Sequence, residues 1–151
     1  MTTYNLSENR LEYLTPETHS NISVLDAIQM SCSYPFIFEL FSYKNKYYID
    51  GGILDNFPIE IGEKISKNCL GLVIKTPLIS LELEYSTLSL FLKMIQIVVA
   101  STLMNKINKA TCDIIQIEHK TGFFNFSYDN KEIITMFDDG YTLCKEFKRN
   151  L

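Results

Sequence analysis

The stretch KYYIDGGILDNFP at residues 46–58 constrains the fold more than any other part of the chain. Its first five residues, Lys46–Asp50, are mostly aromatic or β-branched and predict a strand. The Asp-Gly-Gly that follows predicts a tight turn, in which the two glycines adopt positive φ angles and leave the Asp50 carboxylate uncrowded. Residues 59–67 are predicted to form a helix, because the proline before them suits the first turn of a helix.

The Asp50 side chain at the end of this strand has two interpretations. A carboxylate held by a sheet sits on a rigid platform, and it becomes a useful base when it is desolvated against a serine hydroxyl. The apolar walls of such a cleft are expected from Tyr48, Ile49, Ile53 and Phe57. Alternatively, Asp-Gly-Gly is an ordinary turn that Asp50 caps, since Asp and Gly dominate turns generally.

Strand and helix patterns alternate on both sides of this stretch. Ser23 and Asp26 have the spacing of a capping box, and Pro35 ends the helix that they begin. The other predicted elements are a hairpin or extended segment at Thr2–Tyr13, a helix at Val24–Ser33, a strand buried on both faces at Leu70–Lys75, a long helix at Leu88–Asn108, a strand at Asp113–Glu118 and an amphipathic helix capped by Asp129. This order predicts an α/β fold with a mostly parallel sheet and flanking helices.

Length and composition exclude several classes of protein. The chain has 151 residues, the size of one domain, so residues 1–151 are expected to form a single domain. Hydrophobic residues make up 46% and charged residues 21%, which excludes a disordered tail or a collagen-like fibre. The net charge of -4 argues against nucleic acid as a partner, because phosphate binding needs a basic field.

The cysteines and the N-terminus indicate where the chain resides. Cys32, Cys69, Cys112 and Cys144 lie far apart, without a C-x-x-C motif or a nearby histidine pair. No metal site and no disulfide framework are therefore expected, and a reducing compartment is the simpler interpretation. No signal peptide is expected, since the N-terminus lacks a basic patch followed by an apolar run. We expect a cytoplasmic protein that can associate peripherally with membranes.

Two stretches together resemble the patatin-like phospholipase family. Residues 50–58 match that family's D-G-G/A-x-x-x-N-x-P segment. A second match, to a helix of the form A-x-x-x-S-x-S-x-P, is made by Ala27, Ser31, Ser33 and Pro35. The resemblance extends over nearly the whole chain through a preceding strand at Thr3–Leu6, a strand at Asp113–Ile117 and a helix that contains Gly140 and Tyr141.

The resemblance implies a lipid acyl hydrolase with a Ser–Asp dyad and no cofactor, in which Asp50 is the catalytic base. Gly51 and Gly52 form the motif turn, and the residues expected to shape the substrate site are Ser33, Pro35, Asn56 and Pro58. The family's nucleophile lies in G-x-S-x-G and its oxyanion hole in a glycine-rich loop, and both precede the D-G-G segment. No glycine in this chain has a serine two positions later. The chain thus resembles the C-terminal part of the catalytic domain, and we expect it to be inactive alone.

Several alternatives stay open at this point. The chain is either one half of an enzyme completed by a separate N-terminal polypeptide, or a truncated, inactive homologue that binds lipid or a partner protein. A self-contained triad of Ser31 or Ser33 with His19 or His119 is disfavoured, because neither serine has elbow glycines.

The long apolar helix and three further acidic residues are expected to have ordinary structural roles. The helix at residues 88–108 docks on a membrane, covers the acyl-binding cleft or, as we favour, lies in the core. Its core positions are then expected to be Leu92, Ile95, Val99 and Leu103. The acidic side chains expected to be solvated are those of Asp55, Asp138 and Asp139.

Overall fold

The structure is a computed structural model that describes residues 1–78, 80, 86–118 and 127–149. In chain order its elements are β1 (Thr2–Asn5), β2 (Arg10–Tyr13), α1 (Val24–Cys32), β3 (Phe41–Tyr43), β4 (Lys46–Asp50), α2 (Gly52–Asp55), α3 (Ile59–Ile65), β5 (Leu70–Lys75), α4 (Thr87–Lys109), β6 (Asp113–Glu118) and α5 (Asn130–Arg149). The chain divides into two compact units. Unit 1 comprises Met1–Pro58 and Tyr85–Lys106, and unit 2 comprises Ile59–Glu84 and Ile107–Leu151. The single domain expected for residues 1–151 stays a prediction.

Unit 1 contains a four-stranded sheet in the order β2-β1-β4-β3, and every neighbouring pair is antiparallel. Of the two structures expected for Thr2–Tyr13, an extended segment and a hairpin, the structure shows the hairpin, formed by β1 and β2. A second hairpin joins β3 to β4 through Lys44 and Asn45, whose φ angles of 48° and 60° are both left-handed. Two positive φ angles in a two-residue loop are typical of a type I′ turn, which matches the twist of the flanking strands.

Helix α1 packs on this sheet and forms the core of unit 1. Its start is capped as predicted: Ser23 Oγ accepts a hydrogen bond from the Asp26 N–H at 3.0 Å. The buried core residues are Leu14, Ala27, Met30 and Tyr48, with Ile22, Phe41 and Tyr43 packed against them. The core thus joins α1 to β4, the strand that ends at Asp50.

Helix α4 is a single helix, as predicted, but the prediction that it is mostly buried is wrong. Leu92 and Val99 are buried and Ile95 and Leu103 are half-buried, so the predicted core stripe exists. The remaining apolar side chains are exposed, namely Leu88, Phe91, Met94, Ile97, Val98 and Met104. Only 17% of the most apolar window of the helix is buried, and the helix is long and apolar enough to cross a membrane by length and composition.

Unit 2 contains the parallel pair β5 and β6, at the predicted bounds, together with α3 and α5. The predicted cap of α5 is confirmed, because Asp129 Oδ1 accepts from the Glu132 N–H at 2.7 Å and the Glu132 carboxylate accepts from the Asp129 N–H at 2.9 Å. The prediction that β5 is buried on both faces is wrong. Val73 is buried, but Leu70, Leu72 and Ile74 on the alternate face are exposed.

The expected mostly parallel sheet is not confirmed among the described residues. The chain does combine helices and sheets, but of the strands that the structure describes only β5 and β6 pair in parallel. The β1–β2 and β3–β4 pairs are antiparallel because their hairpin connections are too short for the crossover that parallel strands require.

Candidate active site

Asp50 is the last residue of β4, where the predicted strand ends and a short helix begins. The strand is held from one side by β1, in which Thr3 pairs with Asp50, and from the other by β3. Gly51 forms the turn and Gly52 is the first residue of α2. The sheet thereby fixes the backbone that carries the Asp50 carboxylate.

The two glycines serve a different purpose from the one predicted, since neither has a positive φ angle. A Cβ on Gly51 would lie 2.5 Å from the backbone nitrogen of Thr3, so this position has no room for a side chain. A Cβ on Gly52 would lie 2.9 Å from Asp50 Oδ1. Gly51 therefore allows β1 to approach closely, whereas Gly52 leaves the carboxylate uncrowded, as expected.

One oxygen of the Asp50 carboxylate is held and the other is open. Oδ1 accepts a hydrogen bond from the Gly52 N–H at 2.7 Å. Within the described part of the chain, Oδ2 has no hydrogen-bond or ion-pair partner. Burial raises the pKa of Asp50, and the hydrogen bond from Gly52 opposes that shift. A carboxylate that is partly desolvated and free at one oxygen can accept a proton from a hydroxyl placed beside it.

The end of α1 lies next to this carboxylate. Ser33 is buried, its hydroxyl donates to the Gln29 carbonyl at 2.6 Å, and its own carbonyl accepts from the Asp50 N–H at 3.0 Å. Tyr34 is also buried. Its burial is the main cause that raises the pKa of its hydroxyl, and the nearby Asp50 charge raises that pKa further. Sequence reasoning missed Tyr34, although it stands between two residues of the matched A-x-x-x-S-x-S-x-P motif.

The other residues expected to shape the substrate site lie on the two loops that flank Asp50. Pro35 is half-buried and lies in the loop that begins at Ser33. Asn56 is exposed and ends α2, and Pro58 is exposed and immediately precedes α3. Their contribution to substrate binding stays a prediction.

Asp55, the last residue of α2, is buried, which corrects the expectation that it is solvated. Only 2% of the residue is exposed. Its Oδ2 accepts from the Tyr13 hydroxyl at 2.6 Å, and its Oδ1 lies 2.8 Å from the Lys106 ammonium. These contacts tie α2 to β2 and to α4, because a buried carboxylate requires both hydrogen bonds and a countercharge. Asp138 and Asp139 are exposed, as expected.

Replacing Lys106 by Met is expected to lower the free energy of unfolding by about 3 kcal/mol, because the buried Asp55 charge loses its countercharge. Urea unfolding at pH 7 measures this. Lys109→Met, at an exposed position of the same helix, is the matched control and should stay within about 0.5 kcal/mol of the parent. The double variant with Asp55→Asn should recover part of the loss. Equal effects of both lysine substitutions would show that the ion pair contributes nothing.

The raised pKa of Asp50 has a consequence for stability. At pH values between the pKa of Asp50 in the unfolded chain and its pKa in the folded chain, Asp50 binds more protons in the folded chain than in the unfolded chain. The free energy of unfolding therefore falls as the pH rises through that interval. Asp50→Asn removes this penalty, while its side-chain oxygen can still accept the Gly52 N–H.

We therefore expect Asp50→Asn to be more stable than the parent at pH 7, and this advantage to disappear below about pH 4, near the ordinary pKa of aspartate. Urea unfolding from pH 3 to 8 measures the difference, with the exposed Asp138→Asn as control. An advantage that persists unchanged in acid would contradict the assignment of the penalty to the Asp50 charge.

A second polar cluster in unit 1 argues against a self-contained triad. His19 Nε2 lies 3.5 Å from the buried Glu12 carboxylate, and His19 Nδ1 lies 2.8 Å from the Thr18 hydroxyl. The histidine thus contacts neither serine of the motif, and His119 lies outside the described residues. A cavity of about 240 Å³ adjoins this cluster, and Asp50 is not among its lining residues. Among the described residues, no group of three or more His, Cys, Asp or Glu side chains is arranged to hold a metal ion.

Comparison with known proteins bears on this same region. The sequence model of the patatin-like phospholipase family matches residues 1–62. Over 61 residues the chain is 36% identical to the probable lipid hydrolase 463L of Invertebrate iridescent virus 6. That match covers 40% of this chain and 21% of the viral protein, about a fifth of that relative's length.

The matched residues contain the whole antiparallel sheet, α1, α2 and the loop of Asp50. The similarity proposed for Asp113–Ile117 and for Gly140 lies beyond them and stays a prediction. Through residues 1–62, the resemblance of this chain to the patatin-like phospholipase family is confirmed.

Proposed function

We propose that this chain contributes the general base, Asp50, to a lipid acyl-ester hydrolase that works with a Ser–Asp dyad. The observation that carries the proposal is the Asp50 carboxylate, which is fixed at a strand end, partly desolvated, and open at Oδ2 among the described residues. In the proposed reaction a serine hydroxyl attacks the ester carbonyl while Asp50 takes its proton and later delivers it to the leaving alcohol. Water then releases the acyl group by the same proton transfers in a second step.

The proposal requires a serine nucleophile and oxyanion donors that this chain lacks. No G-x-S motif occurs in its 151 residues, and no run of three glycines occurs either. We propose that a segment outside these 151 residues supplies both. Without it the developing oxyanion is left to solvent, and each missing donor costs on the order of 10²–10³ in rate.

The loop after Ser33 supports an apolar substrate. Phe36 has a φ angle of 68°, which is strained for a bulky side chain, and strained backbone is concentrated at functional sites. Its side chain is 59% exposed and meets the ring of Phe91 edge to face, with centroids 5.3 Å apart. Phe38 in the same loop is also exposed. These side chains provide an apolar surface for an acyl chain, connected through Ser33 to the strand end at Asp50.

An ester-release assay tests the proposal with three samples. These are the purified chain, an N-terminal half of a patatin-like phospholipase that carries the glycine loop and G-x-S-x-G, and the two together. We expect p-nitrophenyl butyrate hydrolysis above background only in the mixture. Hydrolysis by the purified chain that survives Asp50→Asn would overturn the assignment. So would a mixture that hydrolyses the ester no faster than the N-terminal half alone.

The second candidate function is that of a homologue without catalysis that binds a lipid surface. It is favoured by the exposed apolar side chains of α4. The test is co-sedimentation with vesicles of phosphatidylcholine and phosphatidylglycerol. Phe91→Ser with Ile97→Ser should reduce binding, whereas Ile134→Ser, an exposed position on α5, should not. Absence of binding by the parent chain would reject this function.

A further inference from the structure

Two cysteines oppose each other at the beginning of the parallel strand pair in unit 2. Leu70 pairs with Asp113 at the first position of the β5–β6 ladder, so Cys69 and Cys112 occupy the preceding, opposed positions. Neighbouring strands lie about 4.8 Å apart, and opposed residues of parallel strands project to the same face. Disulfide bonds span Cα separations of roughly 4.4–6.8 Å. The register therefore brings these two thiols within bonding range without a rearrangement of the strands.

The surroundings of both thiols are built from the adjacent helix α3. A Cβ on Gly62 would lie 2.8 Å from Cys69 Sγ, so the glycine makes room for this sulfur. The Glu63 carboxylate accepts the N–H groups of Thr111 at 2.6 Å and of Cys112 at 3.0 Å. These bonds hold the backbone of Cys112 in place beside β5.

The two thiols interact, and both are accessible. Partial burial, and then the charge and hydrogen bonding of Cys69, raise the pKa of the Cys112 thiol. Both residues are half-buried and both are free thiols in this structure. A small disulfide reagent in solution can therefore reach the pair.

We propose that Cys69 and Cys112 form a reversible oxidation site, which closes to an intramolecular disulfide bond in exchange with a low-molecular-weight disulfide such as oxidised glutathione. One cysteine loses its proton, and its thiolate attacks a glutathione sulfur, forms a mixed disulfide and expels one glutathione thiolate. The second cysteine, likewise deprotonated, attacks the protein sulfur of the mixed disulfide and expels the other. The two cysteines are oxidised by two electrons, and one oxidised glutathione is reduced to two glutathione thiols.

The site is distinct from the disulfide framework that the sequence argued against. Cys69 and Cys112 are separated by a long stretch of chain, and only the strand register brings them together. Reversible pairs of this kind are the form in which disulfides occur in reducing compartments. The inference does not depend on the proposed hydrolase, because it concerns unit 2 alone.

In the experiment, the purified Cys32→Ser, Cys144→Ser chain is equilibrated with a series of buffers that differ in the ratio of reduced to oxidised glutathione. Each sample is quenched with acid, and the remaining thiols are alkylated. Mass spectrometry should show a monomer that has lost two hydrogens and bears no alkyl group. Trypsin should then release residues 68–75 linked to residues 110–120. The same chain in urea is the matched control, because it keeps both thiols and loses the register.

We expect the effective thiol concentration in the folded chain to exceed the value in urea by at least about tenfold, since a flexible chain of this separation provides only millimolar values. An equal or lower value would overturn the proposal, as would stable glutathione adducts on either cysteine without the linked peptide. If the Cys32→Ser, Cys144→Ser chain does not fold, the parent chain is digested with trypsin instead. Its peptides then show either the link between Cys69 and Cys112 or separate glutathione adducts. In the same Cys32→Ser, Cys144→Ser chain, adding Cys69→Ser or Cys112→Ser leaves one cysteine. Each of these variants should take up one glutathione and form no internal disulfide.

Discussion

Asp50→Asn is expected to reduce kcat/KM for ester hydrolysis at least about a hundredfold in the enzyme completed by an N-terminal half, because general-base assistance contributes roughly 10²–10⁴ in rate. The amide has nearly the same shape and still accepts the Gly52 N–H, but it cannot take a proton from the serine. The loss should appear mainly in kcat, since the base acts in the chemical step and not in lipid binding. Initial rates at saturating and limiting substrate measure the two constants.

The pH dependence of the same reaction separates a base from a structural residue. Because burial raises the pKa of Asp50, the acid limb of the profile should lie at a higher pH than the ordinary pKa of an aspartate, and Asp50→Asn should abolish that limb. Asp139→Asn, an exposed carboxylate of α5, is the control and should leave both the rate and the profile unchanged. A parallel loss of kcat in both variants, or an acid limb that survives in Asp50→Asn, would reject Asp50 as the base.

The elements that were predicted correctly have strong local signals. The caps at Ser23 and Asp129 need only a partner three residues away, and the structure contains both hydrogen-bond pairs. The strand at Lys46–Asp50 has a composition that suits few other structures. Such features lie within one turn of helix or one strand, so a short window of sequence is sufficient to recognise them.

The features that were missed depend on partners distant in the chain. Strand β3 is only three residues long and is defined by its pairing with β4. The sequence predicts Asp55 in solvent because its partners, Tyr13 and Lys106, lie far from it in the chain. The available sequence signal is that Ile53 and Leu54 precede Asp55 and that Phe57 follows two residues later.

The exposed faces of α4 and β5 have a different explanation. Apolar composition predicts burial, and the sequence of α4 is apolar nearly all round. Burial, however, also requires a covering surface, and composition contains no information about which surfaces are available. The stripe of Leu92 and Val99 is buried, whereas the opposite side of the helix remains open.

Gly51→Ala is expected to lower the free energy of unfolding by about 3 kcal/mol, the upper part of the range for overpacking. The added Cβ would lie 2.5 Å from Thr3 N, 2.6 Å from the Thr2 carbonyl carbon and 2.8 Å from Thr3 Cα. All three are backbone atoms of β1, so no side-chain rotation relieves the contact, and the β1–β4 ladder must separate locally. Urea unfolding at pH 7 and amide hydrogen exchange in β1 measure the global and the local effect.

Gly140→Ala is the matched control, because a Cβ at this position of α5 meets no atom within 4 Å. It should stabilise the chain by about 0.5–1 kcal/mol, since alanine favours a helix over glycine. The two substitutions add the same methyl group, and neither glycine has a positive φ angle, so backbone strain is not the difference between them. Opposite signs would therefore show that Gly51 is required by the approach of β1 to the Asp50 loop. A Gly51→Ala chain within about 0.5 kcal/mol of the parent, with unchanged exchange in β1, would contradict that close approach.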